Sequence, residues 1–69
     1  MGILKDMRVL RMWLQHTRRI EEFRASALQL LVHPDATQEQ RETVIEKVQT
    51  VERLHTEARH KMWEKGYRV

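Results

Sequence analysis

Apolar residues recur at helical spacing along most of the chain, with one interruption. From residue 3 to 32, and again from 38 to about 65, they step alternately by four and three positions, which is the heptad rhythm of two packed helices. The residues at these positions are Val9, Trp13, His16, Ile20, Phe23, Ala27, Val44, Val48, Val51, His55, Ala58 and Met62. This set, called the seam, is predicted to join the two helices.

The interruption contains the only proline and the clearest helix stop and start signals. Pro34 cannot continue a helix, and it disfavours the helical conformation at His33. Thr37 can cap a second helix, with Gln40 reaching back as in a capping box, and Asp35 is a competing cap. A short turn between helices of similar length makes them antiparallel neighbours.

These signals predict an all-α fold, an antiparallel two-helix hairpin that forms a single domain. The predicted elements are helix 1 over about 3–32, a turn at 33–37, helix 2 over about 38–65 and a short C-terminal tail within residues 1–69. Gly66 can end helix 2 in a left-handed conformation.

The first helix carries a second apolar stripe, centred about 100° from the seam. A hairpin of 69 residues is too small to surround a core of its own, and the absence of cysteine excludes disulfides and thiolate metal sites. We therefore expect the hairpin to associate, most simply as a homodimer that forms a four-helix bundle. The predicted protein interface consists of Ile3, Met7, Leu10, Leu14, Trp63 and Tyr67.

An exposed apolar face with aromatic residues and an arginine rim is typical of protein interfaces. The sequence thus favours a non-enzymatic, protein-binding module of the adaptor, regulator or inhibitor type. Two occupants of the face stay open at this point, namely a second copy of the chain and a different protein.

Two seam histidines are predicted to face each other, because facing residues of the hairpin have numbers that sum to about 71. His16 then lies opposite His55. Doubled in a dimer, this pair could bring four imidazoles toward a zinc ion, but no His-Glu pairing at ligand spacing completes such a site. A polar layer that fixes the register, or a pH-sensitive association, fits better, so no metal and no cofactor are predicted.

Charge is distributed unevenly along the predicted rod, whose formal net charge is +3. Residues 1–19 and 55–69 together contain nine basic and three acidic residues, whereas 20–54 contains four basic and seven acidic ones. The basic end suggests an alternative function as a nucleic-acid-binding regulator. Its predicted phosphate contacts are Lys5, Arg8, Arg11 and Arg18.

Other function classes find little support in the sequence. Ser26 is the only serine, no cysteine is present and two glycines cannot form a phosphate-binding loop, so no catalytic residues are predicted. No apolar run reaches the roughly 18 residues that span a bilayer, and no signal-peptide pattern is present. Membrane binding is therefore not expected. We expect a soluble, cytoplasmic protein.

Overall fold

The chain folds into two long α-helices joined by a tight turn. The computed structural model describes residues 3–69, where α1 spans Ile3–Leu31 and α2 spans Gln38–Glu64, with no strand in that range. The helices pack side by side in a molecule of 53 × 17 × 12 Å. The predicted all-α hairpin is confirmed, and each helix ends one residue before the predicted position.

The turn is organised around His33, an exposed residue that directly precedes Pro34. Its carbonyl accepts hydrogen bonds from the Ala36 amide at 3.2 Å and from the Arg41 guanidinium at 3.4 Å. Its Nδ1 accepts a third from the Asp35 amide at 3.1 Å. His33 therefore supplies acceptors for the backbone amides of Asp35 and Ala36, which lie between the two helices.

Both ends of α2 carry the capping interactions that its sequence predicts. The Thr37 hydroxyl accepts the Gln40 amide at 3.1 Å, and the Gln40 side chain accepts the Thr37 amide at 2.9 Å, which completes a capping box. At the other end Gly66 has φ +94°, and the amides of Gly66 and Tyr67 bond to the carbonyls of Trp63 and Met62. This pair of bonds is a Schellman motif, which stops the helix and redirects the tail.

The seam buries little apolar surface. Ile20 and Ala27, which are 6% and 7% exposed, are the only buried apolar residues in 3–69, and the third buried residue there is His55. His16 is exposed, and the rest of the predicted seam is half-buried, namely Val9, Trp13, Phe23, Val44, Val48, Val51, Ala58 and Met62. The accessible surface is 6145 Å², whereas a compact protein of 8.4 kDa exposes about 4,600 Å².

The capping box makes a direct prediction about stability. Replacing Thr37 by Ala removes the hydroxyl acceptor at the start of α2, so the free energy of unfolding should fall by about 1 kcal/mol. Thr37→Ser, which keeps the hydroxyl, is the matched control, and its free energy of unfolding should fall much less. Urea unfolding followed by circular dichroism at one protein concentration measures both. Equal stability of Thr37→Ala and the native chain would contradict this role for the cap.

Candidate protein-binding face

One side of α1 is lined by large apolar side chains that the hairpin leaves exposed. Ile3, Met7, Leu10 and Leu14, all in the predicted interface, range from 37% exposed at Leu10 to 78% at Ile3. Further along the same side, Leu28 and Val32 are also exposed. The Val32 amide bonds to the Leu28 carbonyl at 3.1 Å, so Val32 continues the helical spiral beyond the last residue of α1.

A cross-helix ion pair shows which side of α2 is adjacent to this stripe. Arg24 binds Glu52 through two hydrogen bonds, one of them between Nη2 and Oε2 at 2.6 Å. Arg24 lies four residues before Leu28, and Glu52 lies seven residues after Ile45 and eleven before Trp63. Residues at these spacings share one side of a helix. The ion pair therefore joins the exposed stripe of α1 to the side of α2 that carries Ile45 and Trp63, and the two form one surface.

We call this surface the apolar face. Its large apolar residues are Ile3, Met7, Leu10, Leu14, Leu28, Val32, Ile45 and Trp63. They form two patches, one of five residues at the open end of the hairpin and one of three (Leu28, Val32 and Ile45) at the turn end. Between the patches lie the Arg24–Glu52 pair and, on α1, Thr17 and Glu21.

The C-terminal tail folds back beside the open-end patch. The Tyr67 hydroxyl donates to Oδ1 of Asp6 at 3.0 Å, a hydrogen bond that raises the pKa of Tyr67. The Trp63 indole donates to the Val69 carbonyl at 2.8 Å, while about half of the Trp63 side chain stays exposed. Trp63 therefore presents its ring to solvent, whereas Tyr67 is half-buried and ties the tail to α1.

The structure brings the two seam histidines together, at the positions that the predicted register gives them. His16 Nε2 and His55 Nδ1 are 3.4 Å apart, and the Trp13 ring stacks on His55 with centroids 5.2 Å apart. Nη2 of Arg59 lies 3.1 Å from His55 Nε2. A guanidinium only donates, so His55 accepts at Nε2 and holds its proton at Nδ1, directed at His16.

The environment of His55 favours its neutral form. Burial lowers the pKa of His55, and the charge of Arg59, the neighbouring His16 and the charge of Arg24 lower it further, with Glu52 opposing them. No group of three or more His, Cys, Asp and Glu side chains within residues 3–69 is arranged to hold a metal ion. His55 is thus a buried, hydrogen-bonded member of the seam whose surroundings disfavour its charged form.

The basic residues predicted as phosphate contacts are all exposed on α1. They are Lys5, Arg8, Arg11 and Arg18. The Arg24–Glu52 pair is the one ion pair formed among the described residues, so none of the four is neutralised by a neighbouring acid there. These four positive charges are free to interact with solvent or with a partner.

The side of the hairpin opposite the apolar face carries fewer exposed large apolar residues. Met12 is offset by two residues from both Leu10 and Leu14, which places it about 200° away around α1. There it lines a shallow groove with seam residues and with Lys61 and Lys65. Within residues 3–69, the apolar face carries eight of the twelve exposed large apolar residues.

Comparison of the chain with models of known protein families, with curated proteins and with solved structures finds no match. Neither helix contains a segment long and apolar enough to cross a membrane, as far as residues 3–69 are concerned.

Several polar contacts were not foreseen from the sequence, and three of them join side chains within the site. They are the Arg24–Glu52 pair, the Arg59–His55 hydrogen bond and the Asp6–Tyr67 hydrogen bond. The simple register places Lys47 opposite Arg24, but the long side chains of Arg24 and Glu52 span the difference of about five positions. The spacing of four between His55 and Arg59 is the one sequence signal that could have indicated a contact.

The lowered pKa of His55 predicts how stability depends on pH. The unfolded chain binds a proton near the ordinary pKa of 6.5, whereas the folded chain binds it only at lower pH, so the free energy of unfolding should decrease as pH falls from 7.5 to 5.5. His55→Gln should flatten this dependence, and His60→Gln, at an exposed histidine, should not. Urea titrations at several pH values measure the slope. A slope unchanged in His55→Gln would assign the effect to other groups.

Proposed function

We propose that this protein is a non-enzymatic protein-binding module that acts through its apolar face. In this proposal it works as an adaptor, regulator or inhibitor and self-associates as a homodimer, which makes a four-helix bundle. The observation that supports it is the imbalance between eight exposed large apolar residues on one face and two buried apolar residues in the seam. Exposed apolar patches of this kind are typical of interaction sites.

The chemistry of the face suits a protein partner. Burying a leucine or isoleucine side chain completely contributes about 1.5–3 kcal/mol, so covering these exposed side chains favours association. Trp63 supplies an aromatic anchor at the open end, and Arg11 and Arg18 lie beside the stripe as a charged rim. Interfaces commonly combine an apolar centre, an aromatic anchor and an arginine-containing rim.

The proposal predicts the effect of placing charge on the face. The double variant Leu10→Glu, Leu14→Glu should weaken self-association at least about 100-fold, equivalent to roughly 3 kcal/mol of lost apolar burial. Both side chains are exposed in the hairpin, so helicity should persist at concentrations where the variant is monomeric. Sedimentation equilibrium measures the mass, and circular dichroism measures the helicity.

Leu54→Glu is the matched control, because Leu54 is 53% exposed and lies two residues from Glu52, about 200° around α2 from the apolar face. It should leave the mass unchanged. An unaltered dimer in the double variant, or dissociation by Leu54→Glu alone, would count against the apolar face. A dimer that survives while binding of a second protein is lost would assign the face to a foreign partner.

The exposed basic row of α1 supports the alternative function, a nucleic-acid-binding regulator. Lys5, Arg8, Arg11 and Arg18 are exposed and, among the described residues, form no ion pair. In this alternative they contact phosphates from the outer side of the hairpin. Binding of this kind depends on released counterions, which distinguishes it from association through an apolar surface.

Salt dependence provides the test of the alternative. If four phosphates are contacted, affinity for a duplex should fall about 150-fold between 50 and 200 mM salt. Replacing Arg8, Arg11 and Arg18 by Gln should remove most of that dependence. The same change at Lys47 and Arg53, which lie outside the basic row, is the control and should have little effect. Fluorescence anisotropy with a labelled duplex measures both, and the absence of binding at 50 mM salt would exclude this alternative.

A further inference from the structure

We infer that the apolar face binds a second copy of the chain in the opposite direction, with the turn end of each hairpin on the open end of the other. This inference rests on the proposed function, because it takes the same face and names its occupant and orientation. It is carried by the placement of the apolar residues, the charge distribution and the exposed area.

Six of the eight large apolar residues of the face are placed symmetrically along the two helices. On α1, Ile3 and Val32 lie equally far from the point between residues 17 and 18, and so do Met7 and Leu28. On α2, Ile45 and Trp63 lie equally far from residue 54. A two-fold rotation about these points places Ile3, Met7 and Trp63 of one copy opposite Val32, Leu28 and Ile45 of its mate. Leu10 and Leu14 then lie opposite Ala25 and Glu21.

The two midpoints lie at the same height in the hairpin. The cross-helix contact nearest to them joins His16 and His55. The α1 midpoint lies 1.5 residues after His16. Because the helices are antiparallel, the same height on α2 lies 1.5 residues before His55, at about position 53.5, which is within one residue of the α2 midpoint at residue 54. One two-fold axis, lying in the plane of the face and perpendicular to the helices, therefore serves both helices. It places α1 on α1 and α2 on α2, each pair antiparallel.

Charge favours this orientation over the parallel one. The half of the hairpin near the open end, residues 1–19 and 55–69, carries a net +6, and the turn half, 20–54, carries −3. The opposite orientation of the copies sets unlike halves against each other, whereas the parallel orientation sets +6 against +6. The axis also brings Glu21 of one copy to within four helical positions, about 6 Å along the helix, of Arg18 of the other.

The exposed area is sufficient for this contact. The hairpin exposes 6145 Å², about 1,500 Å² more than a compact chain of its mass. A stable protein interface needs about 800 Å² from each partner. One broad face of a rod 53 Å long and 17 Å wide has roughly that area.

Cysteine cross-linking tests the orientation, because the chain has no cysteine of its own. Single variants at exposed positions of the face are mixed in pairs, oxidised and examined for disulfide-linked heterodimers. Met7→Cys with Leu28→Cys, and Ile45→Cys with Trp63→Cys, should each cross-link efficiently. Met12→Cys, on the opposite side, is the control that should not cross-link to any of these four variants. Circular dichroism verifies that each variant keeps its helices.

The possible outcomes separate this inference from the proposed function. Cross-linking of both predicted pairs supports the inference. A dimeric mass with efficient linking of Met7→Cys to Trp63→Cys would indicate the parallel orientation, which overturns the inference and leaves self-association intact. A dimer in which none of these pairs links would overturn the inference too. A monomer at all accessible concentrations would overturn both this inference and the proposed homodimer.

Discussion

The thinness of the seam is the constraint on which the rest of this structure depends. Two helices that touch along one line can bury only one stripe of each, and here that stripe encloses Ile20, Ala27 and His55 while most of its neighbours stay half-exposed. A sequence with a second apolar stripe on α1 must then leave that stripe outside the hairpin. The face that we propose for binding is thus a geometric consequence of placing two apolar stripes on a helix with one neighbour.

The middle of the seam contains polar residues, which affect the specificity of the helix register more than the stability of the helix pair. His16, His55 and Arg59 form a chain of two contacts, from Arg59 Nη2 to His55 Nε2 and from His55 Nδ1 to His16 Nε2, and Trp13 stacks on His55. The burial of an apolar side chain at position 55 would be at least as favourable, but it would tolerate a shifted register between the two helices. A buried polar layer with fixed partners penalises such shifts, as polar residues do in other helix pairs. The exposed Arg24–Glu52 pair adds orientation and little stability, because water screens it.

The sequence predicts the elements well because each boundary has a local chemical cause. Pro34 and the Thr37 capping box end one helix and start the next, and Gly66 ends the second. The contact of His16 with His55 follows from the same turn, since a tight connection fixes which positions face each other.

The composition of the apolar face is harder to read from the sequence. Leu28 and Val32 continue the α1 stripe by helical spacing, but whether Ile45 and Trp63 of α2 adjoin that stripe depends on how far α2 is rotated about its own axis. Helical spacing gives relative positions within one helix and leaves that rotation undetermined. The Arg24–Glu52 pair fixes it, and this contact depends on long side chains that reach across several positions.

The placement of the two tryptophans has an optical consequence. Trp13 stacks on a histidine in the seam, whereas Trp63 lies half-exposed on the apolar face, with its indole nitrogen held by the tail. Their fluorescence therefore originates in two separate environments within one small chain. Emission from Trp13 reports the state of the helix pair itself, and emission from Trp63 reports whether the outer surface is covered. Folding and assembly can thus be followed as distinct signals in the same sample, without any added dye.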